Sequence, residues 1–243
     1  MTAAEKTVRE IALEHPEFIR AFERFGIDYC CGGRRPLAEA CEAANLRLDE
    51  VTAALDAVVK ITAPVETDWS RLPMRLLIGH IVATHHAYVK AELPRLAVLA
   101  AKVVTRHGDT QPHVLALQYV LGQLGSELIH HLGKEEQVLF PYITALELAV
   151  GSGGALPEAC FGSVEQPIAM MTSEHDTAGE LLREIERLSD GFTPPVGACP
   201  TYLAFYAGLK EFQQDLHQHI HLENNILFPR AIVMEGSTVG AAV

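Results

Sequence analysis

Two stretches of this chain, 88 residues apart, carry the same arrangement: HHLGKEEQVLFP with His131 and Glu135, and HIHLENNILFP with His219 and Glu223. Each sets a histidine four residues before a glutamate. An α-helix turns about 100° per residue, so the members of each pair fall about 40° apart on one face, one turn from each other. The repeat reaches further back. His86 precedes His131 by 45 residues, His175 precedes His219 by 44, and 89 residues separate His86 from His175. The unit is therefore His…His-x3-Glu, two helices long and present twice. A helical hairpin that closes on its own copy is a four-helix bundle with one shared interior, the setting in which facing helices build dinuclear metal sites.

The neighbours agree with that phase. Leu124, Leu128 and Leu139 fall on the His131 face, and Phe212, Leu216 and Leu227 on the His219 face. A polar layer is thus held between apolar layers. Burying Glu135 and Glu223 there is costly without positive charge nearby, and a metal supplies it. Four imidazoles and two carboxylates, without thiolate, suit iron; manganese is the alternative, and zinc fits less well. Two glutamates bridging two irons, with an oxo or hydroxo group completing the set, is the expected cofactor. Helix phase sends His85, His130, His217 and His221 away from the ligand faces, as rim or solvent histidines. His15, His80, His107 and His113 lie outside the repeat. Glu127 and Asp215 stand four residues before His131 and His219, and Glu174 directly precedes His175. Such acids orient imidazole N–H groups or relay protons, or else they are solvated carboxylates at a bundle end.

Strand signals are weak throughout, so the expected fold class is all-α. Helices are predicted over 73–101, 112–148, 167–190 and 200–234, within a bundle domain of residues 73–235. A Gly-rich crossover covers 150–166, and the tail from Gly236 is expected to be disordered. Residues 1–60 form a smaller helical domain, joined by a linker over 61–70. A core of that size is marginal alone, which predicts docking or dimerisation. No apolar run approaches the ~20 residues that span a bilayer, and the N-terminus lacks the apolar core of a signal peptide. The expectation is a cytoplasmic protein without membrane contact. A formal charge of −12 argues against nucleic acid as a partner.

Five cysteines, an odd number without a secretion signal, argue against a disulfide scaffold. Cys30 and Cys31 are adjacent in the run Asp28-Tyr29-Cys30-Cys31-Gly32-Gly33. The glycines allow close backbone approach and positive φ, and Arg34 and Arg35 favour thiolate. Two readings stand side by side: a buried packing element, or a thiol pair presented to a partner or a labile metal.

The bundle segments resemble hemerythrin-like proteins, and the whole chain resembles the repair-of-iron-centres family, di-iron proteins that restore damaged iron–sulfur clusters. The likeness rests on the Asp28–Gly33 run, on HLGKEEQVLFP (131–141), SEHDTAGELL (173–182) and HIHLENNILFPRA (219–231). It places the family's ligands on His86, His131, Glu135, His175, His219 and Glu223, and its internal acids on Glu127 and Glu174, with no departure at these positions. The resemblance implies a hemerythrin-like four-helix bundle with a small N-terminal helical domain, a cytoplasmic setting and a homodimer. It implies repair of clusters damaged by nitrosative or oxidative stress. Damaged iron–sulfur proteins and nitric oxide would be the partners, and iron donation or reduction of nitric oxide to nitrous oxide the chemistry. Glu127, Glu174, Cys30 and Cys31 are then the candidate reactive groups. The rival readings are a hemerythrin-like module that binds or senses O2 or NO without repair, and a ferritin-type di-iron oxidase, a class that typically draws on more carboxylate ligands than the two in this set.

Overall fold

The computed structural model describes residues 6–15, 18–29, 33–60 and 67–239. Cys30, Cys31 and Gly32 lie outside them, as does most of the predicted linker. Among the described residues the chain is helical, and β structure is confined to one isolated antiparallel bridge between Thr7 and Pro36. Two compact units are distinguished, one of residues 1–73 with 217–229 and one of residues 74–216 with 230–243.

The first unit begins with α1 (Val8–Glu14), α2 (Ile19–Phe25), α3 (Leu37–Ala43) and α4 (Leu48–Lys60). Thr7 and Glu10 form a capping box: the Thr7 hydroxyl accepts from the Glu10 amide at 3.1 Å, and the Glu10 carboxylate accepts from the Thr7 amide at 2.8 Å. The chain after the cysteine run returns to this helix start. The Arg9 amide donates to Gly33 O at 2.7 Å, the Val8 amide to Arg35 O, and the Leu37 amide to Lys6 O. Gly33 is required by close approach, since a Cβ there would stand 2.5 Å from Tyr29 O. No positive φ is involved at that position. Tyr29 is fully buried among Phe22, His217 and His221, with ring separations of 6.5, 6.3 and 5.4 Å. Asn225 Nδ2 donates to Tyr29 O at 3.3 Å.

The second unit holds α5 (Met74–Ile81), α6 (Ala87–His107), α7 (His113–Lys134), α8 (Phe140–Ser152) and α9 (Glu165–Leu188). A helical run continues from α10 (Pro200–His221) to α11 (Phe228–Val239). Helix α7 packs against α6 and α9, and α5 against α8. The helices form because apolar residues recur at helical spacing; α9 buries Ile168, Met171, Ala178, Leu182 and Ile185 on one side. Helix α6 continues through Pro94, whose ring is exposed. Two helix starts receive a remote carboxylate. Glu147 accepts from the Met74 and Arg75 amides at 2.5 and 3.1 Å. Glu235 accepts from the Val164 amide, the Ser163 hydroxyl and the Tyr142 hydroxyl at 3.0, 2.8 and 2.6 Å. The disorder expected from Gly236 onward gives way to helix as far as Val239, because Glu235 ties this last segment into the unit.

Among the described residues, short π-helical turns interrupt the long helices at Val82–His86, Glu135–Leu139 and Leu222–Leu227. Each contains one of the repeated histidines or glutamates. Such single turns carry one residue more per turn than an α-helix and concentrate at functional sites.

Candidate metal centre

The structure brings all six repeated residues together in two groups that share their carboxylates. His86, Glu135, His219 and Glu223 make one; His131, Glu135, His175 and Glu223 make the other. Within each group the ligand atoms lie within 4.8 Å of one another, and all six side chains are buried. Glu135 Oε2 stands 3.4 Å from both His86 Nε2 and His131 Nε2. His131 Nε2 lies 3.0 Å from His175 Nε2, and Glu223 Oε1 2.9 Å from His219 Nε2.

Two carboxylates hold the outer nitrogens. His86 Nδ1 donates to Glu136 at 2.8 Å, and Lys90 Nζ reaches the same carboxylate at 2.6 Å. His131 Nδ1 donates to Glu174 at 2.8 Å, and Lys134 pairs with Glu174. Burial alone would raise the Glu174 carboxyl, but the hydrogen bonds from Lys134 and His131 outweigh it and hold it below the ordinary carboxylate range. Glu136 is held down in the same way by Lys90 and His86. Both are therefore acceptors at neutral pH. In a neutral imidazole with Nδ1–H committed to a carboxylate, Nε2 carries a lone pair. The lone pairs of His86 and His131 then point at a buried layer that also contains Glu135, which is fully buried. Nitrogen lone pairs and carboxylates converging away from water repel one another until cations lie between them. The donor set fits two N/O-ligated metal ions, and iron suits it.

The acids named from the sequence are placed differently from one another. Glu174 orients His131. Glu127 is exposed and lines a cleft of about 350 Å³ that also contains Glu174, His130, His131, Lys134 and His175. Asp215 accepts from His85 Nδ1 at 2.9 Å. Cys30 and Cys31 lie outside the described residues. Glu136, Lys90 and Lys134 lie outside the repeated His…His-x3-Glu pattern. A signal was present: Lys90 is four residues after His86 and Lys134 three after His131, same-face positions on a helix.

Of the histidines expected at the rim, His130 is exposed and His217 half-buried. His85 and His221 are buried. His85 is satisfied by Asp215 and stands edge-on to His80 at 5.6 Å. His221 does face away from His219, but Tyr29 covers that side, and Asn225 Nδ2 donates to His221 Nδ1 at 2.8 Å. Burial pushes its pKa down to about 4, so it packs as a neutral ring.

Two family profiles match the chain: Hemerythrin HHE cation binding domain over residues 77–231, and ScdA_N, a domain of unknown function (DUF542), over residues 4–59. The chain is 38% identical over 235 residues to the iron-sulfur cluster repair protein YtfE of Escherichia coli O81 (strain ED1a), a span covering 97% of this chain and all of that protein. It has the same identity and coverage with the protein of that name from Escherichia fergusonii.

Proposed function

The chain belongs to the hemerythrin HHE cation binding family and to the YtfE iron–sulfur cluster repair proteins within it, and from that premise we propose that it repairs iron–sulfur clusters damaged by oxidative or nitrosative stress. The observation that carries this reading is the pair of buried His/Glu groups joined by two shared carboxylates, in a chain that matches the repair proteins over nearly its whole length. His86, His219, His131 and His175, with Glu135 and Glu223 common to both groups, would hold two irons. Bound there, iron supplies redox change and open positions for a small ligand such as nitric oxide.

The residues of the chain do the rest. Glu136 and Glu174 fix the tautomer and direction of His86 and His131. The apolar residues around the layer keep out bulk water. Glu127 and Glu174 line the cleft and offer carboxylates to a proton or to departing iron. In this reading iron is cargo as well as cofactor, and donation to a damaged cluster is the primary activity. Processing of nitric oxide is the accompanying one, since two adjacent sites favour the meeting of two molecules. Cys30 and Cys31 would meet the damaged partner. Among the described residues no helix is long and apolar enough to cross a membrane, which accords with a cytoplasmic setting, and the small N-terminal domain accords with a homodimer.

The test is recovery of a nitric-oxide-damaged iron–sulfur dehydratase by iron-loaded protein. Wild type should restore activity, and His131→Ala, unable to retain iron, should not. A Cys30→Ala/Cys31→Ala variant should keep its iron and restore activity poorly. Absence of recovery with iron-loaded wild type would overturn repair and favour a module that only binds O2 or NO.

A further inference from the structure

Away from the metal layer, two adjacent helices share an outer face without charge. Helix α6 exposes Ala87, Ala91, Pro94, Val98, Ala101 and Thr105, in steps of 4, 3, 4, 3 and 4 residues. Helix α7 repeats those steps with Leu115, Tyr119, Gly122, Ser126, Ile129 and Gly133, all exposed but the half-buried Gly133. Alternating steps of 3 and 4 average 3.5 residues, the period at which a helix presents one continuous seam to another helix. The charged residues of both helices fall off these seams, and Lys90 and Arg95 are paired with Glu136 and Glu92. Val98, Leu115, Tyr119 and Ile129 are each about half exposed or more. Gly122 is a hollow between them, since a Cβ there would meet nothing within 4 Å.

The occupant follows from how the seams match. Helices α6 and α7 are consecutive, pack side by side and are joined by a short turn, so they run antiparallel. Leu93 Cδ2 stands 3.4 Å from where a Cβ on Gly125 would be, which fixes the level of one helix against the other. Counted from there, Thr105 is level with Leu115, Ala101 with Tyr119, Val98 with Gly122 and Ala91 with Ile129, each to within about 3 Å. At every one of these levels one seam carries the bulkier side chain and the other the smaller. A two-fold axis parallel to the helices and between them lays α6 of one copy antiparallel on α7 of the other. It keeps every level, so each bulky residue meets a small one, as a self-complementary isologous interface requires. The extent agrees. Each seam runs about 27 Å and two helices of about 10 Å diameter lie abreast, a footprint of about 540 Å² in plan. That is near the top of the about 300–600 Å² of the largest apolar patch on a typical monomer. With side-chain relief it approaches the about 800 Å² that each partner covers in a standard interface. We propose that the α6/α7 face seats a second copy of this chain, α6 of each copy lying along α7 of the other. This seat is on the bundle itself, apart from the small N-terminal domain, and does not depend on the repair reading.

The experiment is sedimentation equilibrium of the full chain at tens of micromolar. Wild type should sediment as a dimer. Ala101→Lys and Tyr119→Glu each press an unpaired charge against an apolar partner and should weaken dimerisation at least about tenfold. Both positions are exposed in the single chain, so far-UV circular dichroism should show the same helix content as wild type. Mixed together, the two variants should recover a dimer, because the introduced ammonium of one copy then faces the introduced carboxylate of the other. Met170→Glu and Leu203→Glu, at exposed apolar positions on α9 and α10, should dimerise like wild type. A wild type that stays monomeric would overturn this seat and the homodimer together. Undiminished dimer in both seam variants, or equal loss in the α9 and α10 variants, would overturn the seat and leave a homodimer formed elsewhere. No recovery in the mixture would overturn the pairing of α6 with α7 across the axis. Sedimentation reads mass and not repair, so none of these outcomes bears on recovery of a damaged dehydratase.

Discussion

His86 and His131 are held by the same chemical kit and meet different surroundings. Each directs Nε2 toward Glu135 at 3.4 Å and donates Nδ1 to a glutamate at 2.8 Å. Each of those glutamates is paired with a lysine. Beyond that the sides diverge. The His86 ring is stacked on Phe140, with centroids 5.6 Å apart and planes 22° from parallel. The His131 ring meets another imidazole edge-on, that of His175 at 4.7 Å, and lines the cleft. Duplication of one helical hairpin therefore need not yield two equal metal positions. Identical ligands can serve retention on one side and exchange on the other, with the difference made by what packs against them.

The strongest way to break this comparison is to remove what the two sides share. Glu135 belongs to both ligand groups, so Glu135→Ala should empty both and bring iron content, measured by plasma emission, close to zero. Retention of one iron in that variant would show that the groups are independent. Next comes the feature that separates them. Phe140→Ala should lower stability by about 3–5 kcal/mol as a buried ring is lost, read from thermal denaturation. The milder Phe140→Leu is the functional probe. Wild type should lose iron to a chelator in a fast and a slow phase, and this variant should accelerate the slow one. A single phase in wild type would remove the asymmetry.

Much of the arrangement was legible beforehand. The long helices were visible because their leucines and isoleucines recur at 3.6-residue spacing, and the six residues named from repeat intervals are the six the structure gathers. What stayed hidden has physical causes. A π-helical turn leaves no mark in composition, so a uniform 100° step could not foresee the turns at Val82–His86, Glu135–Leu139 and Leu222–Leu227. Burial of His221 depends on Tyr29, which comes from 192 residues earlier in the chain, and burial of His85 on Asp215 from another helix. Helix phase states which way a side chain points from its own axis and nothing of what waits there. The same limit hid Glu136: adjacent to Glu135 in sequence, it turns outward to the His86 Nδ1. Cap donors were equally unforeseeable, since Glu235 serves an amide 71 residues away.

Smaller in effect, and sharper as a comparison, are the two orienting carboxylates. Glu136→Gln and Glu174→Gln each keep size and a hydrogen-bond acceptor while removing charge. Loss of such an outer partner typically costs about 10–100-fold in metal affinity. Competition with a graded series of chelators should find both variants in that range. Only Glu174→Gln should also change the rate of the fast phase, because Glu174 lines the cleft. Equal acceleration of both phases by either variant would mean that the cleft does not set the order of release.

The smallest expected effects belong to Lys90 and Lys134, and they decide whether the lysines act on the histidines or only on solvent. Their side chains are 47% and 41% exposed, so the ion pairs with Glu136 and Glu174 are screened, and exposed pairs contribute about 0–1 kcal/mol. Lys90→Met and Lys134→Met should accordingly leave the midpoint of denaturant unfolding almost unmoved. Each glutamate, however, divides its negative charge between a lysine and an imidazole N–H. Removing the lysine leaves more of that charge for the histidine, which strengthens the Nδ1 hydrogen bond and makes Nε2 a better donor. Both variants should therefore hold iron slightly more tightly than wild type, by less than the tenfold expected from losing the carboxylate. On the cleft side Lys134→Met should slow the fast phase of chelation, whereas Lys90→Met should leave that phase alone. A weakening of iron retention in either variant would show that the lysine fixes the carboxylate in place, and that position outweighs charge in this relay.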